Sequence, residues 1–279
     1  MSRLAALLAL TVLTHGTLSA VSAQAAPPPS QLQPGGSWEE IAYDILGERT
    51  PQDGAGVIEM TAPYRANDAA TVPIRLHRGG GDRRIVSASV VIDENPAPLA
   101  AQFEFGAAMA PLDLELRVRV DQYSNVRVIA RTEGGEDFMT GRFVKASGGC
   151  SAPASRDPGT ALAGLGLMKL RQFMPDGAAG EPRAAGRRAE AQIMLRHPNY
   201  SGLQRDQITQ LFIPAHFIDR IEVRQGDDLL FSMTGGISIS ENPVFRFGYT
   251  DNGAPNFHVT AHDTEGNLFE HSFVVEAGS

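Results

Sequence analysis

From Leu112 to Asp121 apolar and charged residues alternate without interruption, with Leu112, Leu114, Leu116, Val118 and Val120 on one side and Asp113, Glu115, Arg117, Arg119 and Asp121 on the other. Successive side chains of a strand point to opposite faces, so this segment reads as a strand with one buried and one solvated face. The same period recurs at Val72/Ile74/Leu76, Val86/Ala88/Val90/Ile92, Ala101/Phe103/Phe105 and Val126/Val128/Ala130, with turn residues at Gly79-Gly80-Gly81, Glu94-Asn95-Pro96 and Tyr123-Ser124-Asn125. Short strands at this spacing, with few helical stretches between them, predict an immunoglobulin-like sandwich of about 100 residues rather than a parallel α/β sheet. The first domain is expected to span 26–150, its last strand closing near Lys145.

A second series begins near Ala191. Ala191/Ile193/Leu195, Ile221/Val223, Leu229/Phe231/Met233, Phe245/Phe247/Tyr249 and Phe257/Val259/Ala261 alternate around turns at Gln225-Gly226-Asp227-Asp228, Asp251-Asn252-Gly253 and Thr264-Glu265-Gly266-Asn267. The chain is therefore expected to be all-β, with a second sandwich over 189–279. The 29 Gly and 18 Pro suit a chain with this many turns. Residues 151–188, rich in Ala, Gly, Pro and Arg, read as a linker. A short helix is expected in it, because Asp157-Pro158 has N-cap and N1 residue types and Leu162, Leu165 and Met168 or Lys169 follow at helical spacing. Another helix is expected over Ser37 to Leu46, with a capping-box spacing from Ser37 to Glu40, Gly47 as its end, and Trp38, Ile41 and Ile45 facing inward. The pair Asp93-Glu94-Asn95-Pro96 and Ser240-Glu241-Asn242-Pro243 hints at a similar corner in each half.

Residues 1–25 read as a signal peptide. Arg3 precedes an apolar run from Leu4 to Leu13, and Ala23-Gln24-Ala25 has the small-x-small form of a cleavage site. The run is shorter than the roughly 20 apolar residues that span a bilayer. A periplasmic protein is expected. The net charge of −8 argues against nucleic acid or an anionic membrane surface as partner, because both need clustered Lys and Arg.

Cys150 is the only cysteine of the 279 residues, within Val144-Lys145-Ala146-Ser147-Gly148-Gly149-Cys150-Ser151-Ala152-Pro153. In an oxidising compartment cysteines normally pair, so a single one points to a free reactive thiol, a covalent adduct or a bridge between chains, the alternative being an inert cysteine. Gly148 and Gly149 supply backbone freedom, and the small neighbours are expected to leave the sulfur accessible on a flexible arm. Lys145, five residues back, is expected to be solvated, with little influence on the thiol. No metal or cofactor site is expected. His258 and His262 share a strand face near His271, but no carboxylate or thiolate completes a ligand set, and His197 and His216 read as packing or interdomain contacts. No Ser-His-Asp order, phosphate loop or paired-cysteine motif appears.

Val57-Ile58-Glu59-Met60-Thr61-Ala62-Pro63, Val72-Pro73-Ile74, Glu94-Asn95-Pro96-Ala97-Pro98, Val144-Lys145 and Gly148-Gly149-Cys150 together resemble SoxY, the sulfur-carrying subunit of bacterial thiosulfate oxidation. Ile193-Met194-Leu195-Arg196-His197-Pro198, Ser201-Gly202-Leu203, Ile213-Pro214-Ala215-His216-Phe217-Ile218 and Ser238-Ile239-Ser240-Glu241-Asn242-Pro243 resemble its partner SoxZ. The order is similar to that of fused SoxYZ-like carriers named for their association with quinoprotein dehydrogenases. The resemblance implies two immunoglobulin-like halves packing on each other, with no catalytic site of their own. It also implies substrate held covalently on Cys150, at the end of an arm containing Gly148 and Gly149, and offered to periplasmic redox or sulfur-handling enzymes. In the separate carrier subunit the arm ends the chain, whereas here Ser151-Ala152-Pro153 follows and tethers it at both ends. Alternatives are an accessory or binding module of a quinoprotein dehydrogenase, and a thiol-disulfide oxidoreductase, which lacks a resolving cysteine.

Overall fold

Every alternating segment becomes a strand in the structure, a computed structural model that describes residues 31–153, 160, 162–173 and 185–275. The first half supplies β1 (Gln52–Asp53), β2 (Ile58–Thr61), β3 (Val72–Arg78), β4 (Ile85–Ile92), β5 (Leu99–Phe105), β6 (Asp113–Val118), β7 (Ser124–Thr132) and β8 (Asp137–Val144). The second supplies β9 (Met168–Phe173), β10 (Arg188–Leu195), β11 (Ile218–Gln225), β12 (Asp228–Gly235), β13 (Val244–Thr250), β14 (Asn256–Asp263) and β15 (Leu268–Val274). Residues 1–25, expected to form a signal peptide, lie outside the described residues. No helix among those described is long and apolar enough to cross a membrane.

Two layers face each other, and both run through both halves. One sheet has the order β1-β8-β7-β4-β5-β12-β11-β14-β15, the other β2-β3-β6-β13-β10-β9. The halves join by antiparallel pairing at β5 with β12, where Phe105 opposes Phe231 and Gln102 opposes Thr234, and at β6 with β13, where Leu114 opposes Phe247. Alternation on every strand then sends its apolar set into one shared core, in which Ile74, Leu116 and Val128 belong to the same cluster as Phe231, Phe245 and Val259. Aromatic rings concentrate at the join: Phe231 lies 6.3 Å from Phe103, 5.8 Å from Phe245 and 5.2 Å from Phe247, in the tilted and edge-on arrangements that rings prefer.

The helix α1 (Trp38–Leu46) forms as expected, but its cap differs. Ser37 makes no side-chain bond to the helix; its Oγ donates to Glu94 Oε2 at 2.8 Å and its N–H to Glu94 Oε1 at 2.9 Å. A carboxylate from outside the helix thus replaces the capping box and ties α1 to the turn after β4. Gly47 ends the helix at φ +60°, where its N–H reaches Tyr43 O. Trp38, Ile41 and Ile45 pack with Leu46, Val91 and Ile129 in a small second core, and Arg127 stacks over the Trp38 ring at 4.3 Å.

The linker reading needs correction at Met168–Phe173. This segment is not the end of a helix but strand β9, paired with β10 along its whole length. Helical spacing of Leu162, Leu165 and Met168 is broken by Gly164 and Gly166, both at positive φ, and from Met168 a polar-apolar alternation finds the free edge of β10. The expected N-terminal end of that helix, at Asp157-Pro158, lies outside the described residues.

Because the sheets are continuous across the halves, the chain should unfold in one transition. Phe231→Ala, made in the second half, is expected to cost about 3–5 kcal/mol. In urea titrations it should move the fluorescence midpoint of Trp38, in the first half, together with the far-UV circular dichroism midpoint. Separate midpoints would show two independent units.

Candidate functional site

Cys150 lies where the two halves meet, and the structure corrects the expectation that its sulfur is accessible: the residue is fully buried. The reason is a set of backbone bonds that lays the arm along the chain just after β6. Arg119 N–H donates to Ser238 O at 2.7 Å and Val120 N–H to Ala69 O at 2.8 Å, so the segment 119–121 leaves its sheet ladder. The arm then uses its free carbonyls. Gly148 N–H donates to Asp121 O at 2.7 Å, Gly149 N–H to Val120 O at 3.1 Å, and Cys150 N–H to Asp121 Oδ1 at 3.1 Å.

The second half closes the site. Ser201 Oγ donates to Cys150 O, and Gln204 Nε2 donates to Ala152 O at 2.8 Å. Arg119 bridges the halves, with Nη1 donating to Gly149 O and Nη2 to Asn199 O, both at 3.2 Å. Asn95 secures the same junction, donating from Nδ2 to Arg119 O at 2.8 Å and Ser238 Oγ at 2.9 Å while its Oδ1 accepts from Asp121 N–H at 2.8 Å. Its counterpart Asn242, at φ +47°, donates its N–H to His197 O at 2.7 Å. The two Glu-Asn-Pro corners therefore each hold a crossing segment.

The glycines have a steric role beside any mobility. Gly148 sits at φ +77°, and a Cβ on Gly149 would lie 2.1 Å from Ala69 O and 2.6 Å from Val120 O. Only glycine lets the arm pack this closely. Lys145 is engaged by aromatic faces, its ammonium 5.0 Å from the Tyr64 ring and 5.9 Å from Tyr123.

Burial pushes the Cys150 thiol up to about 12; the Asp121 carboxylate pushes the same way and the Arg119 guanidinium opposes both. The nucleophilic form of cysteine is the thiolate, so the docked arm holds a quiescent thiol. The residues that dock it were not evident from pattern. Arg119 and Asp121 occupy positions that the strand period assigns to solvent, and Asn199 and Ser201 fall in a segment with no periodic signal. Burial of Arg119, the bulkiest of the fully buried side chains, comes from the arm and the second half covering that face.

A second polar cluster is built from His197, His216 and Asp263, all buried, whose donor atoms lie within 4.8 Å of one another. His216 Nε2 is 2.8 Å from Asp263 Oδ2 and His197 Nε2 is 3.5 Å from it. Such a trio has metal-ligand residue types, so its protonation decides its chemistry. His197 Nδ1 accepts the Asn199 N–H at 3.1 Å, which leaves the proton of the neutral ring on Nε2. That atom then carries a proton and offers no lone pair to a metal, although it makes no hydrogen bond to Asp263. Asp263 also accepts from Asn267 Nδ2, Asn267 N–H and Glu265 N–H, which pins the turn between β14 and β15. His258, His262 and His271 form no ligand cluster among the described residues; His258 Nδ1 is 3.0 Å from Ser272 Oγ across the β14–β15 pair.

Residues 42–150 match the family model of sulfur oxidation protein SoxY, and residues 179–274 that of sulphur oxidation protein SoxZ. The chain is thus built as a SoxY domain followed by a SoxZ domain, of the sulfur-oxidation family. It is a fused SoxYZ arrangement, with the Y and Z halves packed on each other. Among solved structures it is similar to the sulfur carrier protein SoxY from Chlorobium limicola f thiosulfatophilum, at 22% identity over 39% of this chain and 91% of that one. The TM-score of that match is 0.34. A search of curated proteins finds no match.

Two measurements test this site. At pH 8 a thiol of pKa about 12 exposes roughly 10³-fold less thiolate than one at 9. Iodoacetamide should therefore alkylate native Cys150 at least about 10²-fold more slowly than the urea-unfolded chain. Ser201→Ala and Gln204→Ala should each speed the native reaction roughly fivefold, the worth of about 1 kcal/mol per bond. Comparable native and unfolded rates would show that the arm is undocked in solution. The second measurement concerns pH. Burial, with His216 beside it, lowers His197 to about 4 against the attraction of the Asp263 carboxylate. The unfolded chain then takes up this proton first, so stability is complete above about 6.5 and falls as pH drops toward 4, by about 3 kcal/mol. Asp263, held near 2 by Asn267 and His216 although burial alone would raise it, adds a loss only below 3.8. Urea midpoints from pH 7 to 4.5 should show the decline, and His197→Gln should flatten it.

Proposed function

We propose that the chain is a periplasmic carrier that holds a sulfur-type intermediate on Cys150 and presents it to partner enzymes of sulfur oxidation. The observation that supports this reading most is the placement of the one cysteine. It stands at the end of the SoxY domain, docked by hydrogen bonds from both halves, on a segment that two glycines make able to pack and to leave. A thiol that served only packing would not need its backbone carbonyls gripped by the second half.

Docked, the thiol is protected; loading requires the arm to leave. Each arm bond is worth roughly 1 kcal/mol net, so release costs several kcal/mol and has to be driven by a partner's stronger contacts with the released state. Tethering on both sides makes the released arm a loop of two backbone strands. Its partners then need wide clefts rather than narrow tunnels. Gly148 and Gly149 on one side and the fixed φ of Pro153 on the other shape that loop.

The second reading is an accessory binding module of a quinoprotein dehydrogenase, favoured by the burial of the sulfur itself. Intact mass of the protein purified from the periplasm, before and after reduction, separates the two. The carrier reading expects a reducible adduct mapped to the peptide containing Cys150, absent in Cys150→Ser, with loss of sulfur-oxidation activity in that variant. A clean thiol, and a Cys150→Ser chain that supports the same physiology as the unaltered one, would leave the binding module.

A further inference from the structure

Arg119 is 1% exposed, and its side chain is spent on two neutral carbonyls, Gly149 O and Asn199 O. Its Nε–H has no partner. No carboxylate lies within 4.0 Å of it among the described residues; Glu241 and Asp68 act only from farther off, and burial is the strongest influence on the guanidinium. Two carbonyls call for donors, not for charge, and a buried glutamine amide could supply them. A full positive charge kept out of water, with an unspent N–H beside the arm, is costly unless an anion shares the site for part of the working cycle.

We propose that Arg119 is the anion receptor of this site, its guanidinium taking up the negative charge of the group carried on Cys150 when the loaded arm returns to the seam between the halves. This rests on the carrier reading. The bare thiol is neutral, so in the docked, unloaded site no anion touches the guanidinium. A persulfide or thiosulfonate on the sulfur brings the missing charge. Asp121, whose carboxylate accepts the Cys150 N–H, repels that charge, so the carried group turns away from Asp121 and toward Arg119. Arg119 would thereby favour anionic over neutral cargo, and loaded arms over empty ones, in the docked state.

The test compares two adducts on the full chain. Tetrathionate loads an anion: the Cys150 thiolate attacks a central sulfur, the S–S bond breaks, thiosulfate leaves, and Cys–S–S–SO₃⁻ remains. Methyl methanethiosulfonate loads a small neutral group: the thiolate displaces methanesulfinate and Cys–S–S–CH₃ remains. Both are loaded at alkaline pH in mild urea, confirmed by intact mass, and returned to buffer. The anionic adduct should melt at least about 3 °C above the neutral one. In Arg119→Gln the two should melt within about 1 °C of each other, and Arg119→Lys should restore part of the difference. A structural role alone would lower both adducts of a variant equally and leave their difference intact. Equal melting in the unaltered chain, or a difference that persists in Arg119→Gln, overturns the proposal. If Arg119→Gln does not fold, the unaltered chain and Arg119→Lys decide. Failure of either reagent to load Cys150 would instead strike at the carrier reading, which keeps the two apart.

Discussion

The pairing of β5 with β12 and of β6 with β13 is the constraint on which the rest depends. A sandwich standing alone leaves strand edges whose N–H and C=O groups must be covered or blunted. Here each half covers an edge of the other. Once those pairs form, Phe103 and Phe105 meet Phe231, Phe245 and Phe247 in one continuous core, and the crossing segments at the end of the seam are brought within bonding distance. Ser238 reaches Asn95, Asn199 reaches Arg119, and Ser201 reaches Cys150 only because the two ladders have set the register between halves.

In the proposed carrier role, that geometry protects the thiol between transfers. A mobile thiol is at risk of side reactions, and its reactivity grows with its thiolate fraction. Docking removes both exposure and charge, so release of the arm needs free energy from outside it. Arg119 and Asp121, on the same side of one extended segment, oppose each other across the arm. The carboxylate holds the Cys150 N–H and disfavours negative charge on sulfur, while the guanidinium favours it. In the proposed carrier, the charge of the group on Cys150 sets which of the two wins.

The His197–His216–Asp263 cluster shows how the same residue types can serve stability. Its donor atoms are spaced as metal ligands would be, yet the Asn199 N–H fixes the tautomer of His197 and puts the ring proton on its Nε2. The cluster lies in the second half, where Asn199 also accepts from Ile218 N–H through Oδ1 and donates to Ser240 O through Nδ2. One asparagine backbone thus touches both the histidine network and, through its carbonyl, the guanidinium beside the cysteine arm.

Strands, their buried faces, the α1 helix and the singular thiol were legible in the chain, because alternation, turn residues and cysteine number are local properties. The seam was not, since edge pairing between β5 and β12 joins residues more than 120 positions apart and no local pattern encodes which edge meets which. Arg119 illustrates the limit best: period two places it with Arg117 on a wet face, and only the arm and the Asn199 loop folding over that face bury it. β9 was hidden for a similar reason, its short alternation becoming a strand through the open edge of β10. The amino-acid sequence by itself determined that this is an all-β chain with one cysteine between two like halves. The tertiary structure alone decided that the cysteine is buried at their junction beside an unpaired cation, because burial and charge pairing depend on long-range contacts that bring distant segments together.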